Sequence, residues 1–261
     1  MTTETSANSE LKGNVLITGA ATRIGRAIAL GLAQNGWNIA LHYHGSNQAA
    51  EETAAEIAAL GRSTVLLQAD LAIEEQAAAL ISKARAALGT LTCLVNNASR
   101  FEFDDFATAS ADSWHAHMNV NLRAPFVLSQ TFAAQMEEGQ QGNIINLIDQ
   151  RVWKLTPDFT SYTISKASLW TLTQTAAQAL APNIRVNAIA PGPTLKSSRQ
   201  SEESFARQVA SLPLQQQPAL EEFCHAVEFI LASASMTGQM IALDGGQHLA
   251  WETPDVVGVD E

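Results

Sequence analysis

The sequence predicts an α/β protein, a single domain built on a doubly wound parallel sheet. Short, continuous apolar runs alternate along the chain with longer Ala- and Leu-rich stretches of helical period. Strands that are apolar on both faces belong in a parallel sheet covered by helices, and right-handed crossovers then wind the chain over both sides. The residues able to do chemistry follow directly after the apolar runs, at the strand ends where such folds bind ligands. The chain has 261 residues, 46% hydrophobic and 16% charged, which is enough for one large core.

Residues 14–18 form a first short strand, and residues 24–34 an amphipathic helix that stops at Asn35-Gly36. A second strand runs over 38–43. Ser46 is placed to cap the next helix, which ends at Gly61, and residues 64–68 make a third strand. A helix over 74–88 precedes a fourth strand at 93–96. After a loop at 99–108, one long helical segment covers about 112–136, followed by a strand over 143–148 and a helix carrying Tyr162 and Lys166. Residues 184–189 are a sixth strand, 191–214 an irregular or mobile segment, 221–232 a helix and 240–243 the last strand. The domain is expected over 13–248, with a disordered leader at 1–12 and a tail at 249–261.

A formal net charge of −11 argues against nucleic acid or an anionic membrane as partner, so an anionic ligand must meet locally placed donors. Cys93 and Cys224 have no ligand spacing and read as core residues in a reducing compartment, without a disulfide. No apolar run reaches membrane-spanning length, and the expectation is a soluble cytoplasmic protein.

The first strand runs into Thr18-Gly19-Ala20-Ala21-Thr22-Arg23-Ile24-Gly25. A glycine straight after a strand allows a tight turn, and a second at the helix start lets the backbone approach a pyrophosphate held by the helix N-terminus. An ordinary strand–helix turn is the alternative, but the context favours a Rossmann-type dinucleotide site in which Arg23 brings a guanidinium to the phosphates. Tyr162 and Lys166, one helical turn apart, share a face. A fixed cation there would lower the phenol's pKa and make it a proton donor.

With these residues in view, the chain resembles the short-chain dehydrogenases/reductases from about residue 14 to 246. The resemblance rests on the glycine loop, Asn96-Asn97-Ala98, Asn121, Tyr162 with Lys166, and Pro191-Gly192. It implies NAD(P)-dependent hydride transfer, with Tyr162 as general acid or base and Lys166 holding the nicotinamide ribose. Asn121 would stabilise a helix bend that holds a relay water. Where most members of the superfamily have a serine, thirteen positions before the tyrosine, this chain has Asp149. A carboxylate suits a ring nitrogen or an amine better than a carbonyl oxygen gaining negative charge, although a helix cap or a solvated loop acid is the plainer role.

That substitution resembles the pteridine reductase branch, as do the Arg23 loop, Leu41-His42-Tyr43-His44 with Ser46, and Asn97-Ala98-Ser99-Arg100-Phe101. The branch implies that Phe101 stacks on a pterin, that Arg23 and Ser99 contact the cofactor phosphates and the pterin, and that Asp149 and Tyr162 supply the proton. Phe101 folded into the core is the alternative. Residues 37–50 contain no acid that would bind a ribose 2′-hydroxyl; His42, Tyr43, His44, Ser46 and Arg23 would instead accept a 2′-phosphate, so the expected cofactor is NADP(H). The family's pteridine reductases often have a basic residue where this chain has Gly45. His42 and His44 share a strand face but lack a third metal ligand, so no metal is expected.

By the same resemblance Asp70 and Leu71 contact adenine, Gly19, Ile24, Gly25, Asn97, Ala98, Pro191 and Gly192 shape the cofactor groove, and Thr194 meets the carboxamide. Residues 195–212 correspond to the family's variable substrate lid. The helix faces with Leu122, Phe126 and Leu128, and with Leu169, Leu172 and Ala176, would bury in a homotetramer or else serve the internal core. The expected activity is NADPH-dependent reduction of a small heterocycle, a dihydropterin, dihydrofolate or biopterin. A carbonyl or 3-oxoacyl thioester reductase and a non-catalytic NADP(H)-binding sensor are the alternatives.

Overall fold

The computed structural model describes residues 11–197, 199–253 and 256–258. Residues 1–10 of the expected leader, 254, 255 and 259–261 of the expected tail, and 198 in the expected lid lie outside the described residues. Seven strands form one sheet: β1 (Gly13–Ile17), β2 (Trp37–Tyr43), β3 (Thr64–Gln68), β4 (Cys93–Asn96), β5 (Gly142–Leu147), β6 (Ile184–Pro191) and β7 (Met240–Leu243). Their order is β3-β2-β1-β4-β5-β6-β7, and all neighbours are parallel. The order reverses between β1 and β4, which opens a crevice at the carboxyl ends of those strands.

Helices cover both faces: α1 (Arg23–Gln34), α2 (Asn47–Ala59), α3 (Glu74–Leu88), α4 (Ala111–Met118), α5 (Ala124–Ala134), α6 (Thr160–Leu180), α7 (Glu202–Ala210) and α8 (Leu220–Ala232). On one face Ile28 and Leu32 of α1 and Phe223 and Val227 of α8 meet Val15, Ile17 and Ile39 of the sheet. On the other, Leu80 of α3, Leu128 and Phe132 of α5 and Ala177 of α6 meet Leu16, Leu94 and Ile144. Each of these Val, Leu, Ile and Phe side chains, fully removed from water, contributes about 1.5–3 kcal/mol. Both cysteines are free and buried, and burial pushes each thiol up to about 12. Among the described residues no helix is long and apolar enough to cross a membrane.

Three local expectations are corrected. The single helix over 112–136 is two helices joined by a π-helical turn at Asn119–Arg123. The segment over 191–214 is not irregular throughout, because it contains α7, whose start Ser201 caps by accepting from the Ser204 N–H. Ser46 precedes α2, but its side chain makes no capping bond. Of the faces expected at an interface, Leu128 and Leu169 are buried within this chain, whereas Leu122, Phe126, Leu172 and Ala176 are only partly covered.

Candidate active site

A cleft of about 1350 Å³ lies over the carboxyl ends of the strands. Gly19, Arg23, Ile24, Gly25, His42, His44, Asp70, Leu71, Asn97, Ala98, Ser99, Phe101, Asp149, Tyr162, Lys166, Pro191, Gly192 and Thr194 all line it. Tyr43, Ser46 and Asn121 do not. Tyr43 packs against the core, and Ser46 sits exposed ahead of α2.

The nucleotide half begins at Gly19, whose φ of 64° lies in the left-handed region that glycine tolerates. Asn97 holds the turn by donating from Nδ2 to the carbonyls of Thr18 (2.8 Å) and Gly19 (3.1 Å). A Cβ on Gly25 would overlap the Gly19 carbonyl and the Asn97 amide, with Gly19 C at 2.9 Å. We expect Gly25→Ala to cost about 1–3 kcal/mol of stability through overpacking and to weaken nucleotide binding. Thermal unfolding beside an NADPH titration checks this, and unchanged values in both would remove the constraint. Thr22 makes no side-chain cap and no acid occupies the first turn of α1, so the positive end of that helix is left for an anion.

His42 is a brace rather than a phosphate ligand. Its Nδ1 accepts from the Gly19 N–H at 3.1 Å, and its Nε2 lies 3.2 Å from the Ala69 carbonyl. Those partners require a neutral ring with the proton on Nε2. Burial pushes its pKa down to about 4, so it offers no charge at neutral pH. Arg23 is the cation within the glycine loop, at an unusual φ of 55°. Its guanidinium donates to the carbonyls of Leu195 (2.9 Å) and Lys196 (3.1 Å) and thereby ties the loop to the segment leading into α7. His44 lies 3.9 Å from the Asp70 carboxylate, and a Cβ on Gly45 would meet nothing within 4 Å. The Thr194 hydroxyl donates to the Gly192 carbonyl at 3.1 Å and keeps its lone pairs free to accept.

In the other half, the Tyr162 hydroxyl donates to Asp149 Oδ2 at 2.9 Å. The other carboxylate oxygen accepts from the Arg151 N–H at 2.8 Å, so Asp149 also caps the 3₁₀ turn Gln150–Val152. The Lys166 ammonium donates to the Leu147 carbonyl at 2.8 Å and lies 5.9 Å from the Tyr162 ring centre. Burial, then the charge of Asp149, drive the phenol well above its usual range; Arg151 and the Ser99 hydroxyl oppose this more weakly. The expected lowering by Lys166 is thus reversed, because the ring is desolvated and a carboxylate, not the ammonium, is its hydrogen-bond partner. Burial also raises the Asp149 carboxyl and brings Lys166 down to about 8. The set thus holds a phenol kept protonated, an Asp149 carboxyl of raised proton affinity and a lysine whose ammonium is destabilised by burial.

A pH dependence follows, since kcat/KM for the cofactor reports groups of the free enzyme. We expect it to fall as pH rises through about 8, where Lys166 loses its proton. A profile flat to well above that value would exclude Lys166 as the controlling group.

Asn121 lies in the π-helical turn and is fully buried. Its Oδ1 accepts from the Arg100 N–H at 2.8 Å, and its Nδ2 donates to the Arg100 carbonyl at 2.9 Å and to Ser165 Oγ at 3.0 Å. It therefore ties the loop after β4 to α6 rather than lining the cleft. Phe101 stacks on Phe159, with centroids 4.4 Å apart, and meets the Tyr162 ring edge-on at 4.6 Å. Arg151 lies over Phe159 at 5.1 Å and Arg199 over Phe101 at 5.8 Å, and Arg199 also donates to the Phe101 carbonyl. Sequence reasoning missed Arg151, Phe159, and Ser204, Phe205 and Gln208 of α7, which also line the cleft. The one available signal was an aromatic residue immediately before the helix of Tyr162.

This crevice, with its glycine loop and buried Tyr/Lys pair, is that of a nucleotide-dependent oxidoreductase. The profile described as short chain dehydrogenase matches residues 13–207, and the chain belongs to that family. Among solved structures it is similar to FolM alternative dihydrofolate reductase 1 from Brucella canis, in complex with NADP, at 47% identity and a TM-score of 0.89, covering 94% of this chain and 98% of that one. A blue fluorescent protein from a metagenomic library, in complex with NADPH, is 31% identical with a TM-score of 0.84, covering 90% and 98%. Among curated proteins it is 32% identical to the 3-oxoacyl-[acyl-carrier-protein] reductase FabG of Staphylococcus aureus (strain Mu50 / ATCC 700699), over 90% of this chain and 98% of that protein.

Proposed function

We propose that the chain is an NADPH-dependent pterin reductase, acting on a dihydropterin, a dihydrofolate or a biopterin. The observation that carries this reading is the hydrogen bond between Tyr162 and Asp149. Desolvation raises the proton affinity of both groups, so together they hold a proton that a basic ring nitrogen can take. The residues present fit a dinucleotide: a glycine cradle that a Cβ would fill, a helix start free of acids, and Arg23 beside it. NADPH, when bound, supplies the hydride. Lys166 binds ribose hydroxyls from its fixed position, Thr194 accepts from the carboxamide, and Tyr162 with Asp149 delivers the proton to nitrogen. Phe101 offers an aromatic surface for a flat heterocycle, with Arg199 in place to fix its orientation. The NADP-bound FolM structures, at 47% identity, support both the cofactor and the substrate class.

The FabG relatives favour a second reading, reduction of a 3-oxoacyl thioester with Asp149 in the usual place of serine. One panel separates the two: purified protein with NADPH or NADH against 7,8-dihydropterins, dihydrofolate and an acetoacetyl thioester. NADPH oxidation with a pterin is expected. Turnover of the thioester alone overturns the first reading, and tight NADPH binding without turnover of anything favours a sensor. Assembly as a cytoplasmic homotetramer belongs to the same proposal, supported by two free buried thiols and by the partly covered Leu122, Phe126, Leu172 and Ala176.

A further inference from the structure

Beneath the aromatic floor of the cleft lies a buried polar circuit that the chemistry above does not use. Helix α6, which carries Tyr162, is preceded by Phe159 in a left-handed conformation, and Phe159 provides no side-chain cap. The first N–H groups of a helix have no partner within the helix. Asp104, from the loop after β4, meets them from outside. Its backbone carbonyl accepts from the N–H groups of Phe159 (2.6 Å) and Thr160 (3.2 Å), and its Oδ1 accepts from that of Ser161 (3.1 Å). Its Oδ2 accepts from the hydroxyls of Ser161 and, at 3.0 Å, Ser113.

His117 closes the circuit. Its Nε2 accepts from the Glu102 N–H at 3.1 Å, which leaves Nδ1 protonated to donate to Ser161 Oγ at 2.6 Å. The imidazole is fully buried, 5.9 Å from the Tyr162 ring, and burial holds it neutral. Burial alone would raise the Asp104 carboxyl, but the donors from Ser161 and Ser113 outweigh that and keep it below the usual range. The circuit fixes the loop bearing Phe101 against the start of the helix bearing Tyr162, where the two rings meet at 4.6 Å.

We propose that Asp104 is a positioning residue for the reaction, seating Tyr162 and Phe101 relative to one another by capping α6 from the substrate loop. It is a capping carboxylate rather than part of a nucleophile relay, because Ser161, His117 and Asp104 are all buried and do not line the cleft. The inference rests on Tyr162 as proton donor, not on which substrate receives the proton.

The test compares Asp104→Ala with Asp104→Asn in the full chain. The Asn variant keeps an oxygen for the Ser161 N–H and can donate to the Ser113 hydroxyl, which turns to the Ser110 carbonyl, while the Ser161 hydroxyl loses its acceptor. Misplacing a catalytic group by about 1 Å can cost on the order of a hundredfold in rate. For the Ala variant we expect kcat to fall by about tenfold to a hundredfold with NADPH affinity unchanged, and for the Asn variant to recover part of the loss through the Ser161 N–H. Unchanged kcat in the Ala variant, or turnover and NADPH affinity lost in parallel, would overturn the proposal. Amide hydrogen exchange at Ser161, whose N–H the Asp104 carboxylate holds, gives a reading that needs no substrate. Faster exchange there in the Ala variant, with the rest of α6 still protected, is the expected result, and unchanged protection overturns the cap. Because this arm does not depend on turnover, failure of the pterin reading and failure of the Asp104 seat are told apart.

Discussion

Tyr162→Phe is expected to lower kcat by about 10²–10⁴-fold, the usual contribution of a positioned general acid, while NADPH affinity stays close to that of the native chain. Phenylalanine keeps the ring that Phe101 meets edge-on and removes only the hydroxyl that donates to Asp149. Packing is therefore preserved, and the loss reads out the proton alone. Single-turnover kinetics beside a fluorescence titration of NADPH separates the two effects. A variant that reduces its substrate at the native rate would show that the proton comes from elsewhere.

Asp149→Asn should cut pterin turnover by about 10²-fold or more, again with little effect on NADPH binding. The amide can still accept from the Arg151 N–H, so the 3₁₀ turn stays capped. What it loses is a group of raised proton affinity beside the phenol and the negative charge that holds the phenol protonated. The phenol's pKa should accordingly fall. Asp149→Ser should shift preference toward carbonyl substrates if the thioester reading is correct. Native pterin turnover in the Asn variant would remove Asp149 from the mechanism.

The parallel sheet was legible because its strands are continuous apolar runs; period and position after the strands marked the Gly19/Gly25 loop and the Tyr162/Lys166 pair, whereas Asn97 and Asp149 stood out only through the family resemblance. Side-chain direction was less legible. His42 and Tyr43 are consecutive at the end of β2, yet one turns under the glycine loop as a neutral brace and the other into the core, because the environment of each strand position is set by distant elements. The sign of the Tyr162 shift was missed for a similar reason. Spacing placed Lys166 on the same face, but the dominant influences are burial and a carboxylate thirteen residues away. Asp104 could not be read as a cap at all, since the helix start it serves is more than fifty residues downstream.

The π-helical turn between α4 and α5 acts as a phase shifter. In an uninterrupted α-helix His117 and Leu128, eleven residues apart, would fall on nearly the same face, since each residue advances about 100°. One extra residue in the turn rotates everything after it by roughly a quarter turn. His117 can then point at Ser161 beneath the cleft while Leu128 points into the sheet core. One continuous stretch of chain thus serves two addresses, and a single-residue deletion at 119–123 would deliver one of these side chains to the wrong one.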